Sequence, residues 1–162
     1  MSFFHYSFEN GLLVGCETLW GKNDPKECMS LLKQKYKIKH LLTLTTQFMT
    51  YHDREVKRHH IPIQMIPNKE QADKAILIIE NALKNNQAIA IHCTKGIDRT
   101  GCIIGCFLVK QGHDPDEITD QLVYNVGKRL KRNNLRKILE PSYKLLFEFS
   151  DFTKSAMINL SN

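Results

Sequence analysis

One stretch constrains this chain more than any other: Ala88-Ile89-Ala90-Ile91-His92-Cys93-Thr94-Lys95-Gly96-Ile97-Asp98-Arg99-Thr100-Gly101. It opens as a short, mostly apolar run from Gln87 to His92, the pattern of a strand buried on both faces. It continues from Arg99 to Gly112 through Cys102, Ile103, Ile104, Cys106, Phe107, Leu108 and Val109. Those residues are apolar almost all round, which predicts a buried helix with Gly112 as its stop. The loop between therefore joins the C-terminal end of a strand to the N-terminus of a helix. Such junctions bind anions in α/β proteins, because free backbone N–H groups and the helix dipole point at them.

The residues of the loop suit one chemistry. Cys93 opens it and Arg99 closes it, giving Cys-x5-Arg. A thiol at a helix N-terminus beside cationic groups loses its proton more readily and becomes a thiolate nucleophile. Thr94, Lys95, Gly96, Ile97 and Asp98 can curl so that successive N–H groups face one centre, a nest for a tetrahedral dianion. Gly96 permits the tight turn this needs. The guanidinium of Arg99 can grip two phosphate oxygens at once, which an ammonium cannot. Thr100 can donate its hydroxyl to the sulfur as leaving group, and His92 can orient the loop and favour the thiolate. The plainer reading makes Cys93 a core thiol and Arg99 a surface charge. Cys, Gly, Arg and Thr in this register between a strand and a helix weigh against it.

The rest of the chain frames this loop. Gly11-Leu12-Leu13-Val14-Gly15 reads as a strand. Asp24-Pro25 opens a helix that buries Cys28, Leu31 and Leu32 and runs to about Tyr36. Ile38 to Leu44 and Glu55 to Ile63 read as strands, separated by a loop with Tyr51 and His52 exposed. Asn68 caps a long helix with Ala72, Ala75, Ile76, Ile79, Ala82 and Leu83 on its buried face. Asp114-Pro115 opens another helix, with Ile118, Leu122 and Val126 on one face, and Gly127 to Asn134 reads as a basic loop. Pro141 starts a last amphipathic helix through Leu145, Leu146, Phe149 and Phe152. Strands alternating with helices imply an α/β domain with a largely parallel central sheet flanked by helices.

With 162 residues, 42% hydrophobic and 25% charged, the chain has the makings of one globular domain. No signal-peptide pattern opens it and no apolar run would span a bilayer. Its five cysteines fit neither a disulfide framework nor a zinc site, so reduced thiols and a cytoplasmic location are expected. A net charge of +6 favours anionic partners. His52, His59 and His60 suggest no metal, because neighbours on a strand face opposite ways. Cys102 and Cys106, one turn apart, read as packing residues. The rival idea is that one of them, or Cys16, resolves an oxidised Cys93.

His92-Cys93-x5-Arg99-Thr100-Gly101 resembles the phosphate-binding loop of the cysteine-dependent phosphatases, specifically the small atypical dual-specificity group. The resemblance is specific from Ile91 to Cys106 and looser elsewhere. The longer string from His92 to Cys106, with Lys95, Gly96, Cys102 and Gly105, is similar to plant and fungal phosphatases of inositol pyrophosphates. Gly96-x-Asp98-Arg99-Thr100 is similar to phosphoinositide phosphatases, and His92-Cys93-Thr94 to RNA 5′-triphosphatases of the same superfamily.

This resemblance implies a protein-tyrosine-phosphatase-like fold over residues 1–156, with a frayed tail at 157–162. It implies hydrolysis of phosphate monoesters through a phospho-cysteine, without metal or organic cofactor. The first expected partner is a protein phosphorylated on tyrosine or on serine and threonine. The alternatives are a phosphoinositide headgroup, an inositol (pyro)phosphate or an RNA 5′-triphosphate, or else a catalytically weak phosphate-binding adaptor. Asn133 falls where the family has an Asn that braces the loop. The cluster Lys128, Arg129, Lys131, Arg132, Arg136 and Lys137 is either a solvated face or a rim for a polyphosphorylated ligand. Family members with a general acid place an Asp straight after a strand ending like Ile61-Pro62, and here that residue is Ile63. Asp98, Glu70 or Asp73 could substitute, or a good leaving group could depart unaided.

Overall fold

The computed structural model describes residues 3–18, 24–47, 50–94, 98–130 and 144–150. Five strands form one sheet: β1 (Phe3–Phe8), β2 (Gly11–Cys16), β3 (Ile38–Thr43), β4 (Lys57–His60) and β5 (Ala88–His92). Their order is β1-β2-β5-β3-β4. Only β1 runs antiparallel to its neighbour, and the other pairings are parallel. The helices are α1 (Pro25–Tyr36), α2 (Lys69–Lys84), α3 (Asp98–Lys110) and α4 (Pro115–Leu130). Residues 144–150 form a further helical segment, α5.

β5 sits at the centre, and its alternation divides the interior. Ile89 and Ile91 face a large core built with α2, α3, α4 and α5, including Ile76, Ile79, Ile103, Phe107, Leu122, Leu146 and Phe149. The smaller Ala88 and Ala90 face a second core under α1, with Met29, Leu32, Tyr36 and Leu41. A strand with helices on both faces is largely apolar, and all five residues of β5, the terminal His92 included, are buried. Small side chains on one face and branched ones on the other let α1 lie close while the deeper layer fills the other side.

Local chemistry fixes the helix ends. The Asp24 carboxylate accepts from the Lys26 N–H at 2.9 Å, with Pro25 at the first helical position. Asn68 and Gln71 form a reciprocal capping box on α2. α3 ends in a left-handed turn at Gly112 (φ +100°), where the His113 N–H returns to the Leu108 carbonyl at 3.1 Å. Asp114 caps α4 by accepting from the N–H groups of Asp116 and Glu117.

Four sequence expectations need correction. Leu31 is exposed, and Met29 takes its place in the α1 core. The strand expected over Glu55 to Ile63 shrinks to Lys57–His60, the stretch paired in register with His40–Thr43. Tyr51 is half-buried and packs on the α1 core, although His52 is exposed as expected. The part of the expected basic loop from Gly127 to Leu130 is helical, since α4 continues through Leu130; one Gly costs a helix only about 1 kcal/mol, less than the packing of Ile118 and Leu122 returns. β1 escaped the sequence reading altogether. It joins β2 through Glu9-Asn10, and its Phe4 ring covers Gly15 on the facing strand. The side chain of Val126, Pro141, Phe152 and the tail at 157–162 lie outside the described residues.

Candidate active site

The end of β5 places His92 and Cys93 at the mouth of the central strand. Cys93 is 2% exposed and borders the large core beside Ile91, Ile63 and Cys102. Thr94 is exposed, and its carbonyl accepts from the Thr18 N–H at 3.2 Å, which ties the loop to the chain leaving β2. α3 starts at Asp98, so the loop turns directly into a helix N-terminus. Lys95, Gly96 and Ile97 lie outside the described residues.

Arg99, in the first turn of α3, reaches back across the loop. Its Nη2 donates to Thr94 Oγ1 at 2.8 Å and its Nη1 to the Ile63 carbonyl at 2.8 Å. The guanidinium is thereby held over the residue that follows Cys93. A side chain with five donors fixed in a plane keeps others for an incoming oxyanion. Asp98 is exposed at the same helix end. Thr100 is fully buried, and among the described residues its Oγ1 has no hydrogen-bond partner. Leaving a buried hydroxyl unmatched costs about 1–3 kcal/mol, which a group reserved for a bound species would recover.

His92 is fully buried, with its Nε2 2.8 Å from Thr43 Oγ1. Burial pushes its imidazole down to about 3, and the positive charges of Arg58 and Arg99 reinforce the shift against a hydrogen bond with the Cys93 backbone. The ring is neutral at ordinary pH. A neutral ring brings no positive charge to the neighbouring Cys93.

The structure thus brings His92, Cys93, Thr94, Asp98, Arg99 and Thr100 to one junction. Lys128 and Arg129 belong to the last turn of α4. Lys131, Arg132, Asn133, Arg136 and Lys137 lie outside the described residues. Glu70 and Asp73 are exposed on α2 and ion-paired within it, Glu70 with Lys74 and Asp73 with Lys69, each at 2.8 Å. The bond from Lys74 holds the Glu70 carboxyl below its ordinary value, which makes it a poor proton donor. Ile63 turns a fully buried side chain into the core and only its carbonyl toward Arg99.

Two contributors escaped the sequence reading. The Ile63 carbonyl leaves no trace in residue type, being backbone. Thr43 left a faint one, a hydroxyl following the apolar pair Leu41-Leu42 at the end of a strand. The five cysteines are free thiols. Burial, and then the bond with Cys102, pushes the Cys106 thiol well up, as suits a packing residue. His59 and His60 do diverge: His59 Nε2 meets His40 Nδ1 at 3.0 Å, and His60 Nε2 the Thr45 carbonyl at 2.7 Å. Among the described residues no cluster of three or more metal-ligating side chains occurs, and no helix is long and apolar enough to cross a membrane.

A central parallel sheet delivering a Cys-x5-Arg loop to a helix N-terminus defines a cysteine-dependent phosphatase of the dual-specificity and tyrosine phosphatase type. Residues 14–113 match the family Tc-R-P, described as "Polymorphic toxin system, DSP-PTPase phosphatase", and the chain belongs to that family. Solved structures share the fold. PTPMT1 superposes with a TM-score of 0.67 at 13% identity, covering 96% of this chain and 99% of the other. DUSP15 gives 0.61 at 15% identity, covering 93% and 95%. The core catalytic domain of the PP-IP phosphatase SIW14 from S. cerevisiae, in complex with citrate, gives 0.57 at 22% identity, covering 79% and 78%.

Proposed function

We propose that Cys93 is the nucleophile and Arg99 the phosphate clamp of this phosphatase, and that its substrates are proteins phosphorylated on tyrosine. The observation that carries the site assignment is the Arg99 guanidinium, folded over Thr94 beside a cysteine at the strand–helix junction. Substrate phosphate docks in the loop from Cys93 to Arg99 with its oxygens on Arg99 and the helix N-terminus. The Cys93 thiolate attacks phosphorus; the S–P bond forms as the bond to the leaving oxygen breaks. Water then attacks phosphorus and inorganic phosphate departs, with Thr100 Oγ1 donating to the sulfur as it leaves. Catalysis rests on positioning and on charge stabilisation by fixed donors.

Position 63 ranks the substrates. Its side chain is apolar and buried, so it offers no proton to the departing oxygen. A phenol, with a pKa of about 10, leaves far more readily than the aliphatic alcohol of serine or threonine. Phosphotyrosine is therefore the first substrate, with phosphoserine and phosphothreonine slower. The same feature supports a second reading, hydrolysis of a phosphoric anhydride such as an inositol pyrophosphate, whose leaving group is a stabilised phosphate. The fold shared with the PP-IP phosphatase SIW14 and the basic run from Lys128 to Lys137 favour that alternative.

The test is turnover of an aryl phosphate, a phosphotyrosine peptide, a phosphoserine peptide, a phosphoinositide and an inositol pyrophosphate. Wild type turns over the aryl phosphate and the phosphotyrosine peptide, and Cys93→Ser abolishes both. Faster hydrolysis of the pyrophosphate than of the phosphotyrosine peptide would replace the first reading by the second. No turnover by wild type would make the site a phosphate-binding module.

A further inference from the structure

Away from the catalytic loop, the outer edge of the sheet holds a second concentration of positive charge. An open cavity of about 720 Å³ lies between the C-terminal half of α2 and the edge strand β4. Lys39, Arg54 and Lys57 line it, against a single carboxylate, Glu55; the Arg58 side chain is turned to the other face of β4, where its Nη1 donates to the Tyr51 carbonyl at 3.1 Å. The Glu55 carboxylate is already engaged by Lys33. α2 contributes Ile78, Asn81 and Ala82 to the wall, and its C-cap Asn85 follows, none of them charged.

The cavity also has a built polar wall. The rings of His40 and His59 stack with centroids 5.3 Å apart and an interplanar angle of 19°. His40 Nδ1 lies 3.0 Å from His59 Nε2, and His40 Nε2 lies 2.7 Å from Gln87 Oε1. With Gln87 accepting, a chain of directed hydrogen bonds fixes both rings in one orientation. Like charges gathered in one cleft repel each other, and the walls of a cleft focus their field on its interior. The volume falls in the range of small-ligand sites, about 300–1,000 Å³.

We propose that this cavity binds a compact anion carrying two or more phosphate groups, at a site separate from the catalytic loop. Gln87 and Cys93 stand at opposite ends of β5, roughly 20 Å apart at the rise of an extended strand. One ligand of this size cannot occupy both places. Three cations, Lys39, Arg54 and Lys57, and three imidazoles, His40, His52 and His59, around one cleft match several phosphates better than a single carboxylate or sulfate. Binding is also linked to protons. Burial, then the neighbouring His40 and Lys57, holds the His59 imidazole below its ordinary value. Lys39 and Arg54 add positive charge around the pair, His52 adds a third imidazole, and Glu55 offsets part of the charge. A bound polyanion reverses that balance, so affinity rises as pH falls through the range just below the ordinary imidazole value.

The probe is inorganic tripolyphosphate, titrated into the full-length Cys93→Ser protein and followed by amide NMR. Saturable shifts at Lys57, His59, Asn81 and Asn85 are expected, with tighter binding at lower pH. Replacing both Lys39 and Lys57 by Gln weakens that binding about tenfold, the loss of one charge-assisted contact or more. In a chain that keeps Cys93, the same double substitution leaves aryl phosphate turnover within about twofold. The substituted side chains are exposed, and Lys39→Arg with Lys57→Arg restores the affinity. A second arm uses vesicles bearing phosphoinositides: sedimentation that the double Gln variant abolishes assigns the phosphates to a lipid headgroup, and none assigns them to a soluble ligand. Shifts confined to residues near Cys93 and Thr100, or the same shifts with sodium chloride at equal ionic strength, would overturn the proposal.

Discussion

His92 is a residue whose burial leaves a thermodynamic signature. Its imidazole sits at about 3 in the fold against 6.5 when free. Between those values the unfolded chain binds a proton that the native chain does not. Stability therefore rises with pH across that window and is fully present above the free value. From this group alone, unfolding free energy should fall by about 2 kcal/mol between pH 8 and pH 5. Urea denaturation at several pH values checks it, with His92→Gln removing that part of the slope. Asp98 makes the opposite kind of claim, about chemistry rather than stability. If it supplies the proton to poor leaving groups, Asp98→Asn should slow an alkyl phosphate about tenfold or more and spare an aryl phosphate. Equal losses on both, with the pH–rate profile unmoved, would leave it a structural residue. At this scale the sequence was most informative where side chains act. The grouping of Cys93, Asp98, Arg99 and Thr100 at one junction was legible because the strand pattern before them and the helix pattern after them bracket so short a loop. The Ile63 carbonyl was not, because a backbone oxygen has no letter.

Elements declared themselves in proportion to their periodicity. α2 shows its six expected buried residues, and β5 its unbroken apolar run. α4 runs past the end that Gly127 predicts, because tertiary packing carries the helix through it. β1 was missed because its aromatic alternation is spread over only six residues at the chain's start. The hairpin it forms has an exact fit that can be tested. A Cβ added at Gly15 would lie 2.2 Å from Phe4 Cζ. Gly15→Val should therefore destabilise the protein by about 1–3 kcal/mol, through overpacking between β1 and β2. Guanidinium denaturation reads that loss, and pairing the substitution with Phe4→Ala should return part of it.

At the scale of the whole molecule, the segment that matches the family stops short of the folding unit. The match ends at His113, yet Ile118, Leu122, Leu145, Leu146 and Phe149 belong to the same core as Ile91 and Ile103. A chain cut after His113 should lose cooperative unfolding and bind hydrophobic dyes, whereas one cut after residue 156 should melt like the full chain; circular dichroism and dye fluorescence compare them. The layered α/β architecture was legible from alternating patterns alone. The order of the strands was not, because it is fixed by contacts between residues far apart in the chain. One consequence concerns what mutation could make of this scaffold. Ile63 presents its carbonyl to Arg99 and its side chain to the core. An aspartate introduced there would carry its carboxyl inward, into a medium that penalises an ion by several kcal/mol. A proton donor at that position therefore requires the backbone between Pro62 and Pro67 to be re-aimed as well as the side chain exchanged.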